Sequence, residues 1–219
     1  MRRLVDAPWP RVSPRTVLLV PTGSTEQHGP HLPLDVDTRI AQAVCEGAAS
    51  AAGGAVRVAP ALEYGASGEH QGFAGTVSIG TEALALVLVE LARSARTWAD
   101  RIVFVNAHGG NSDALVRARA QLTAEGAPVR WHACRHGGRH ADRAETSLML
   151  HLDPARVDLA AARAGAVEPL DALLPRMRAG GVRAVSPNGV LGDPAGASAA
   201  EGAELLADLV RDLVRTVGA

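Results

Sequence analysis

TVLLVPTGSTEQHGPHLPLDVDT, residues 16–38, is the stretch that decides the fold, because an apolar run leads directly into a loop of ionisable side chains. The first six residues, TVLLVP, are apolar and rich in valine and threonine, which predicts a buried strand. The loop then supplies five candidate ligands: Glu26, His28, His31, Asp35 and Asp37. Divalent cations such as Zn²⁺, Fe²⁺ and Mn²⁺ accept carboxylates and imidazoles. The alternative is a polar surface loop with scattered charges.

Strand and helix patterns alternate along the rest of the chain. Further strands are predicted at residues 56–62, 101–107 and 128–134, and helices at residues 38–52, 82–98, 112–125, 144–152 and 201–217. Residues 159–197 carry a weaker signal of Ala, Gly, Pro and Arg. Strands that alternate with helices favour parallel βαβ units. We therefore expect an α/β fold, a single-domain three-layer α/β/α sandwich with a mostly parallel central sheet, over residues 1–219.

The composition is typical of a globular protein and excludes several classes of function. The net charge of -1 gives no indication of the positive surface that binding to nucleic acid or an anionic membrane requires, so neither partner is expected. The absence of lysine excludes Schiff-base chemistry on that side chain. No apolar run approaches the roughly 18 residues that suggest a membrane span. Cys45 and Cys134 lie far apart in the sequence, so we expect reduced thiols and a cytoplasmic location.

Polar clusters follow three of the predicted strands. The clusters are Glu26/His28/Asp37, Asn106/His108/Asn111 and His136/His140/Glu145. In an open parallel sheet the ligand site lies beyond the carboxyl ends of the strands, so loops far apart in sequence can share one crevice. Glu26 and His28 are two residues apart, so in extended backbone both point to the same side. The carboxylate of Asp37 could bridge two cations, which makes a two-metal site possible.

Most of these residues also have a structural interpretation. Asp37 could cap the helix that follows it, and Glu26 and His28 could be a solvated pair. His108 could be a histidine bonded to backbone, and Glu145 could simply favour the dipole of its helix.

The remaining polar residues carry open or minor roles. His140 could be a general acid or base, a transition-state donor or a ligand. Asn106 and Asn111 are expected to fix a turn or position substrate. Glu69 and His70 are interpreted as exposed residues of a glycine-rich loop. Three further histidines are interpreted as structural: His132, His136 and His151.

Four segments of the chain together resemble the creatininase family of metal-dependent amidohydrolases. They are GSTEQHGPHLPLDVDT, YGASGEHQGFAGTVS, VFVNAHGGN and HADRAETS, in the order of the family. The weaker segment RAGGVRAVSPNGVLGDPAGASAAEG also resembles the family's usual ending. The short length and the stretch HADRAETSLMLHLDP resemble the subgroup that accompanies mycofactocin biosynthesis, in which a ribosomal peptide is matured.

The resemblance implies roles for six residues. It implies metal ligands at Glu26, His28, Asp37 and His108, with Asp37 between two cations, His140 as the catalytic histidine and Glu145 as a further ligand. One position departs from the pattern, because creatininase itself has a glutamate ligand where this chain has Gly110. Glu145 is the expected replacement, and the departure argues against creatinine as the substrate. His31 and Asp35 are then expected beside the ligands.

The resemblance also implies a reaction, metal-assisted hydrolysis of an amide with one or two ions per chain, Zn²⁺ or Fe²⁺ in preference to Mn²⁺. For the mycofactocin subgroup it implies a peptidase that cleaves the modified precursor peptide near its C-terminus and releases a Val-Tyr-derived unit. The family's usual assembly is a homohexamer, so a homo-oligomer is expected.

Three alternatives to the peptidase remain. One is a small-amide or cyclic-amide hydrolase of the creatinine amidohydrolase or formamide deformylase type. Another is a non-catalytic metal-binding scaffold, against which the presence of His140 beside a full ligand set argues. A nucleotide-binding protein ranks last, since the chain lacks both a GxGxxG fingerprint and a Walker lysine.

Overall fold

Four parallel strands form the central sheet of the structure, a computed structural model that describes residues 3–218. The strands are β1 (Val17–Thr22), β2 (Val56–Val58), β3 (Arg101–Asn106) and β4 (Arg130–Ala133). They lie in the order β2-β1-β3-β4, so the three strands that lead into the polar clusters, β1, β3 and β4, are adjacent. Thr22 at the end of β1 pairs with Asn106 at the end of β3, and Asn106 pairs with Ala133 at the end of β4. The loops that follow these three strands therefore leave the same edge of the sheet.

Helices cover both faces of this sheet. The α-helices of the described residues are α1 (Val36–Ala52), α2 (Gly80–Ala95), α3 (Ser112–Ala124), α4 (Arg143–Leu152), α5 (Leu170–Gly180) and α6 (Ala199–Gly218), of which α5 packs in a separate small cluster. Successive residues of a strand point to opposite faces, and the core divides accordingly. Leu19 and Val105 pack on the face with α1, α4 and α6, while Leu18 and Phe104 pack on the face with α2 and α3. The predicted α/β/α architecture with a parallel sheet is confirmed.

Two regions depart from the prediction by more than a few residues at an end, and both departures have a physical reason. Residues 159–197 contain α5, which the sequence pattern did not predict because Pro175 lies inside it and only Leu173 of this helix is buried. The strand predicted at residues 56–62 ends at Val58. Pro60 lacks an N–H group, so the regular ladder to β1 cannot continue through it.

Asp37 lies within the first turn of α1 rather than ahead of the helix. The N-cap position belongs to Asp35, whose side chain makes no capping hydrogen bond. One carboxylate oxygen of Asp37 instead accepts a 2.7 Å hydrogen bond from the hydroxyl of Ser24. The interpretation of Asp37 as a helix cap is therefore wrong, and its buried carboxylate needs another explanation.

None of the helices within residues 3–218 combines the length and the apolar character that a membrane crossing requires. The single-domain prediction covers residues 1–219, of which residues 1, 2 and 219 lie outside the described range. That prediction stays a prediction.

Candidate metal centre

Six of the side chains singled out from the sequence meet beyond the carboxyl end of the sheet. They are Glu26, His28, Asp37, His108, His140 and Glu145. Three come from the segment between β1 and the first turn of α1, one directly follows β3, and two come from the loop before α4 and the start of that helix. Parallel strands carry all three segments to one crevice, as expected for an open α/β sheet.

Glu26 lies at the centre of the cluster and has no solvent exposure. Its Oε2 atom lies 3.1 Å from Nε2 of His108. Its Oε1 atom lies 3.2 Å from Nε2 of His70 and 3.6 Å from Nδ1 of His140. Because His28 is fully buried as well, the interpretation of Glu26 and His28 as a solvated pair is wrong.

Asp37 lies between two histidines. Its Oδ1 atom is 3.4 Å from Nε2 of His28, and its Oδ2 atom is 3.3 Å from Nδ1 of His108. The hydroxyl of Ser24 donates to Oδ2 and holds the carboxylate in this orientation. A carboxylate with one oxygen toward each imidazole has the geometry that bridging two cations requires.

Glu145 approaches the cluster from α4. Its Oε2 atom lies 3.8 Å from Nε2 of His28, and its Oε1 atom lies 3.5 Å from Nε2 of His136. The backbone N–H of Ala141 donates to Oε2 at 2.5 Å, which anchors the side chain to the loop before the helix. Glu145 thus faces the cluster, although it also stands in the first turn of its helix.

His140 stacks between two other histidines. Its ring centroid is 4.3 Å from that of His28 and 4.3 Å from that of His70. Its Nε2 atom lies 2.7 Å from the main-chain oxygen of Gln27, while Nδ1 faces Glu26. One ring nitrogen is therefore bonded to the backbone and the other is directed into the site.

Sequence reasoning missed two neighbours of the cluster. His70 is only 3% exposed and contacts Glu26, so its interpretation as an exposed loop residue is wrong. Gln27 is also buried and touches both His70 and His140 through its side-chain amide. The sequence around His70, a histidine two residues after a glycine in a glycine-rich loop, is only weak evidence for a functional residue. No sequence feature indicated a role for Gln27.

The other polar residues named from the sequence have different surroundings. His31 bonds to the hydroxyl of Thr146, next to Glu145 in sequence. Asp35 pairs with Arg39 and belongs to a half-exposed ion-pair group away from the cluster. His132 contacts α6 through Asp212 and Thr216, and His151 is exposed.

Asn106 and Asn111 fix the backbone around His108. The side-chain N–H groups of Asn106 donate to the main-chain oxygen of His108, and those of Asn111 donate to Gly23 and to Asn106. Both asparagines therefore hold the turn, as their sequence context predicts.

Gly110 has no room for a side chain. A Cβ atom there would collide with the main-chain oxygen of Ala66, with Nε2 of His108 and with Oε1 of Glu69. Oε1 of Glu69 also lies 3.6 Å from Nε2 of His108. The carboxylate of Glu69 thus occupies space beside the backbone of Gly110.

The donor set fits a divalent cation, and the unpartnered atoms make the strongest case. Both oxygens of Glu26 and the Nε2 atom of His28 are buried, and no hydrogen bond of acceptable geometry reaches them. A buried carboxylate without partners is costly, and a cation would satisfy it. Three overlapping groups have ligand atoms within 4.8 Å of one another: Glu26/His28/Asp37, His28/His140/Glu145 and Glu26/His70/His140.

Electrostatics favour ionised carboxylates in this cluster. Burial tends to raise the pKa of the Glu26 carboxyl, but the neighbouring histidines, His108 above all, together outweigh this effect and the pKa falls to about 2. Burial tends to lower the pKa of His28, yet the carboxylates around it, Asp37 above all, together raise it to about 9. Burial lowers the pKa of His70 to about 3, so this ring is neutral.

The cluster opens to solvent through a cavity of about 420 Å³. Its lining includes His108, His140 and Glu145 and also the apolar side chains Leu170, Leu174 and Met177 of α5. Leu170 and Leu174 are exposed there. A molecule bound at the histidines and carboxylates would therefore also contact an apolar helix face.

Comparison with known proteins places this site in a family context. A family model described as "Creatininase: Creatinine amidohydrolase" matches residues 6–217. A mycofactocin precursor peptide peptidase from Mycobacterium tuberculosis is 55% identical over 218 residues, covering 95% of this chain and 86% of that protein.

Solved structures show the same similarity. A creatininase structure described with Mn has a TM-score of 0.78 and 25% sequence identity, covering 98% of this chain and 96% of that chain. A creatininase mutant described as Zn-Zn type has a TM-score of 0.79 and 25% identity with the same coverage.

Proposed function

This chain belongs to the creatininase family, and from that premise we propose that it is a metal-dependent peptidase that hydrolyses an amide bond of a modified ribosomal precursor peptide. The buried Glu26 carboxylate without hydrogen bonds, surrounded by histidines, is the observation that carries the metal-dependent part. The mycofactocin precursor peptide, cleaved near its C-terminus to release a Val-Tyr-derived unit, is the proposed substrate. The names of the relatives support that choice.

Four residues would hold the metal, and a fifth would complete the set. Glu26, His28, Asp37 and His108 are the proposed ligands, with Asp37 between two ions and Glu145 as the further ligand. When bound, the cation would polarise the amide carbonyl and lower the pKa of water toward about 7. We propose one or two ions per chain, Zn²⁺ or Fe²⁺ in preference to Mn²⁺; manganese and zinc in related structures support a divalent metal in general.

His140 is the proposed catalytic residue. Its Nε2 atom is bonded to the main-chain oxygen of Gln27, so its Nδ1 atom is the nitrogen that faces the site. From there it can take a proton from the attacking water and pass it to the departing amide nitrogen. Its stacking between His28 and His70 limits rotation of the ring.

The apolar wall of the cavity supports a peptide substrate over a small polar amide. Leu170, Leu174 and Met177 lie at i, i+4 and i+7 of α5, so they share one face of this helix. That face lines the same cavity as His140. A peptide bound across the site would bury it, whereas a substrate the size of creatinine would leave most of it in water.

The domain organisation, the oligomeric state and the location are proposed from the family resemblance or from the cysteines. We propose that residues 1–219 form one creatininase-like domain, and the family match over residues 6–217 supports this. We propose a homo-oligomer, a hexamer by family resemblance. A cytoplasmic location agrees with Cys45 and Cys134, which are both buried and unpaired.

The direct test is mass spectrometry of the metal-reconstituted protein incubated with the modified precursor peptide. We expect a C-terminal fragment that depends on metal. The variant His140→Ala should keep its metal and lose most of its turnover, about 100-fold or more, because a positioned proton-transfer group contributes about that much. His151→Ala, an exposed histidine on α4, is the matched control and should leave the rate unchanged.

The same experiment separates the alternatives. An intact peptide together with hydrolysis of creatinine or a formamide would favour the small-amide hydrolase. Bound metal with turnover of neither substrate class would favour the non-catalytic scaffold.

A further inference from the structure

Gln27 lies in sequence between the proposed ligands Glu26 and His28, but its side chain contacts two other histidines. It is 5% exposed. Its amide group touches two main-chain groups, Gly29 and Gly189, and two rings, His70 and His140. A neutral amide with four close polar neighbours in a metal centre has a defined hydrogen-bonding role, because each neighbour either donates or accepts.

The two main-chain groups fix which way the amide points. The N–H of Gly29 donates to Oε1 of Gln27 at 2.9 Å. Nε2 of Gln27 donates to the main-chain oxygen of Gly189 at 3.0 Å. The reversed amide would place two donors together at Gly29 and two acceptors together at Gly189, so this orientation is the one the backbone permits.

This orientation assigns the proton of His70. One hydrogen of the Gln27 amide goes to Gly189, and the other points at Nδ1 of His70, 2.9 Å away. Nδ1 of His70 must therefore be an acceptor, and the neutral ring carries its proton on Nε2. That nitrogen lies 3.2 Å from Oε1 of Glu26. The proton of His70 therefore faces the Glu26 carboxylate, so in this arrangement the ring steadies Glu26.

The main chain of the same residue assigns the proton of His140. Nε2 of His140 lies 2.7 Å from the main-chain oxygen of Gln27, which can only accept. The ring therefore donates from Nε2, and the lone pair of Nδ1 is directed into the site toward Glu26. The side-chain Nε2 of Gln27 also lies 2.9 Å from this same Nε2 atom of His140. Because the two hydrogens of the amide go to Gly189 and His70, the ring nitrogen is left to donate to the main-chain oxygen.

We propose that Gln27 is a positioning residue that sets the protonation pattern of the site: it holds His70 as the Nε2–H tautomer and His140 with Nε2 bonded to backbone and Nδ1 free. His70 then serves Glu26 as a proton-bearing neighbour, and His140 keeps a basic nitrogen available to substrate. The catalytic part of this inference rests on the proposed function, whereas the tautomers do not.

The test is the long-range ¹H–¹⁵N correlation spectrum of the histidine side chains in the Zn²⁺-loaded protein, which distinguishes Nδ1–H from Nε2–H rings. In the unaltered chain we expect His70 and His140 both as Nε2–H. Gln27→Met removes both amide hydrogens, and Gln27→Glu presents a carboxylate to Nδ1 of His70. In the glutamate variant we expect the proton of His70 to move to Nδ1. In the methionine variant we expect His70 to be a mixture of the Nδ1–H and Nε2–H tautomers.

The kinetic readout is a split between kcat and KM. We expect Gln27→Met to lower kcat about 10–100-fold, the range typical of residues that orient metal ligands, with KM and zinc content unchanged. Gln42→Met is the matched control, since Gln42 bonds only to Glu46 on α1, and it should change neither the spectrum nor kcat.

Two results would overturn the inference. The first is an Nδ1–H tautomer of His70 in the unaltered chain, which needs no variant to fold. The second is a folded Gln27→Met protein with unchanged tautomers and an unchanged kcat. If the unaltered chain does not cleave the peptide, the proposed function fails, and the tautomers alone then decide the inference.

Discussion

Oε2 of Glu26 lies 3.1 Å from Nε2 of His108, although one residue follows β1 and the other follows β3. The contact exists because the two strands are parallel neighbours whose last residues, Thr22 and Asn106, are paired in register. It joins two halves of a site that are far apart in the sequence.

Replacement of Glu26 should therefore remove the metal. Glu26→Gln keeps the size of the side chain but takes away the negative charge that faces His70, His108 and His140. We expect zinc affinity to fall by more than the about 10–100-fold typical of outer-shell changes, while the circular dichroism spectrum stays the same. Inductively coupled plasma mass spectrometry after dialysis gives the metal content.

The control for this change is Glu46→Gln, which alters a glutamate of α1 that contacts Gln42 and lies outside the cluster. Full zinc occupancy in Glu26→Gln would show that the metal is held elsewhere.

Metal binding should weaken as the pH falls. In the metal-free chain the pKa of His28 is raised to about 9, so this ring carries a proton at pH 7. Burial tends to lower the pKa of His108, but the carboxylates of Glu26 and Asp37 raise it as well. A cation must displace the proton of a ring that it binds, so its affinity should rise with pH until about pH 9. We expect about a tenfold gain per pH unit for each proton released, measured by chelator competition between pH 6.5 and 8.5.

Proton release can be measured independently by titrating zinc in two buffers of different ionisation enthalpy. A zinc affinity that does not change over this pH range would mean that neither imidazole is a ligand.

Gly110→Ala should loosen the site although it replaces none of the proposed ligands. The new Cβ would collide with the main-chain oxygen of Ala66, which cannot move easily, and with the ring of His108. We expect about 1–3 kcal/mol of destabilisation and a weaker zinc affinity, because the His108 ring must shift. Thermal unfolding with and without zinc gives both quantities.

Gly109→Ala offers a control one residue away, because a Cβ at Gly109 would meet open space. Equal unfolding temperatures and zinc affinities for the two alanine variants would contradict the packing argument.

The sequence predicted the sheet and the ligand cluster for the same reason. Short apolar runs such as VLLVPT and RIVFVN are buried along their whole length, and parallel strands of this kind bring their following loops together. Glu26, His28 and His108 could be chosen because each stands just beyond such a run.

The rest of the site depends on contacts that no local pattern reveals. His70 is buried because the segment around Glu69 packs under the end of α5, where a Cβ on Gly181 would lie 2.7 Å from the main-chain oxygen of Glu69. The helix α5 itself went unpredicted because Pro175 interrupts it and most of its residues are exposed. Gln27 acquires its role only through Gly189, far along the chain.

The apolar face of α5 should govern how well the peptide binds. Leu170 and Leu174 are 43% and 36% exposed, unusual for leucines that line a cavity with His108 and His140. The double variant Leu170→Gln/Leu174→Gln should raise KM about tenfold for a peptide with apolar residues beside the cleaved bond, the effect of losing roughly 1.4 kcal/mol of apolar burial. It should leave kcat nearly unchanged, because neither leucine is a proposed ligand or proton-transfer group. Steady-state kinetics on that peptide and on a version with serine at the flanking positions provide the comparison, and the serine peptide should show little difference between the two proteins.

Leu86→Gln, at a 61% exposed leucine of α2, is the control for a general loss of surface leucine. If KM does not change and light scattering shows that the double variant has lost its oligomeric state, the face is covered by a second copy of the chain and not by substrate.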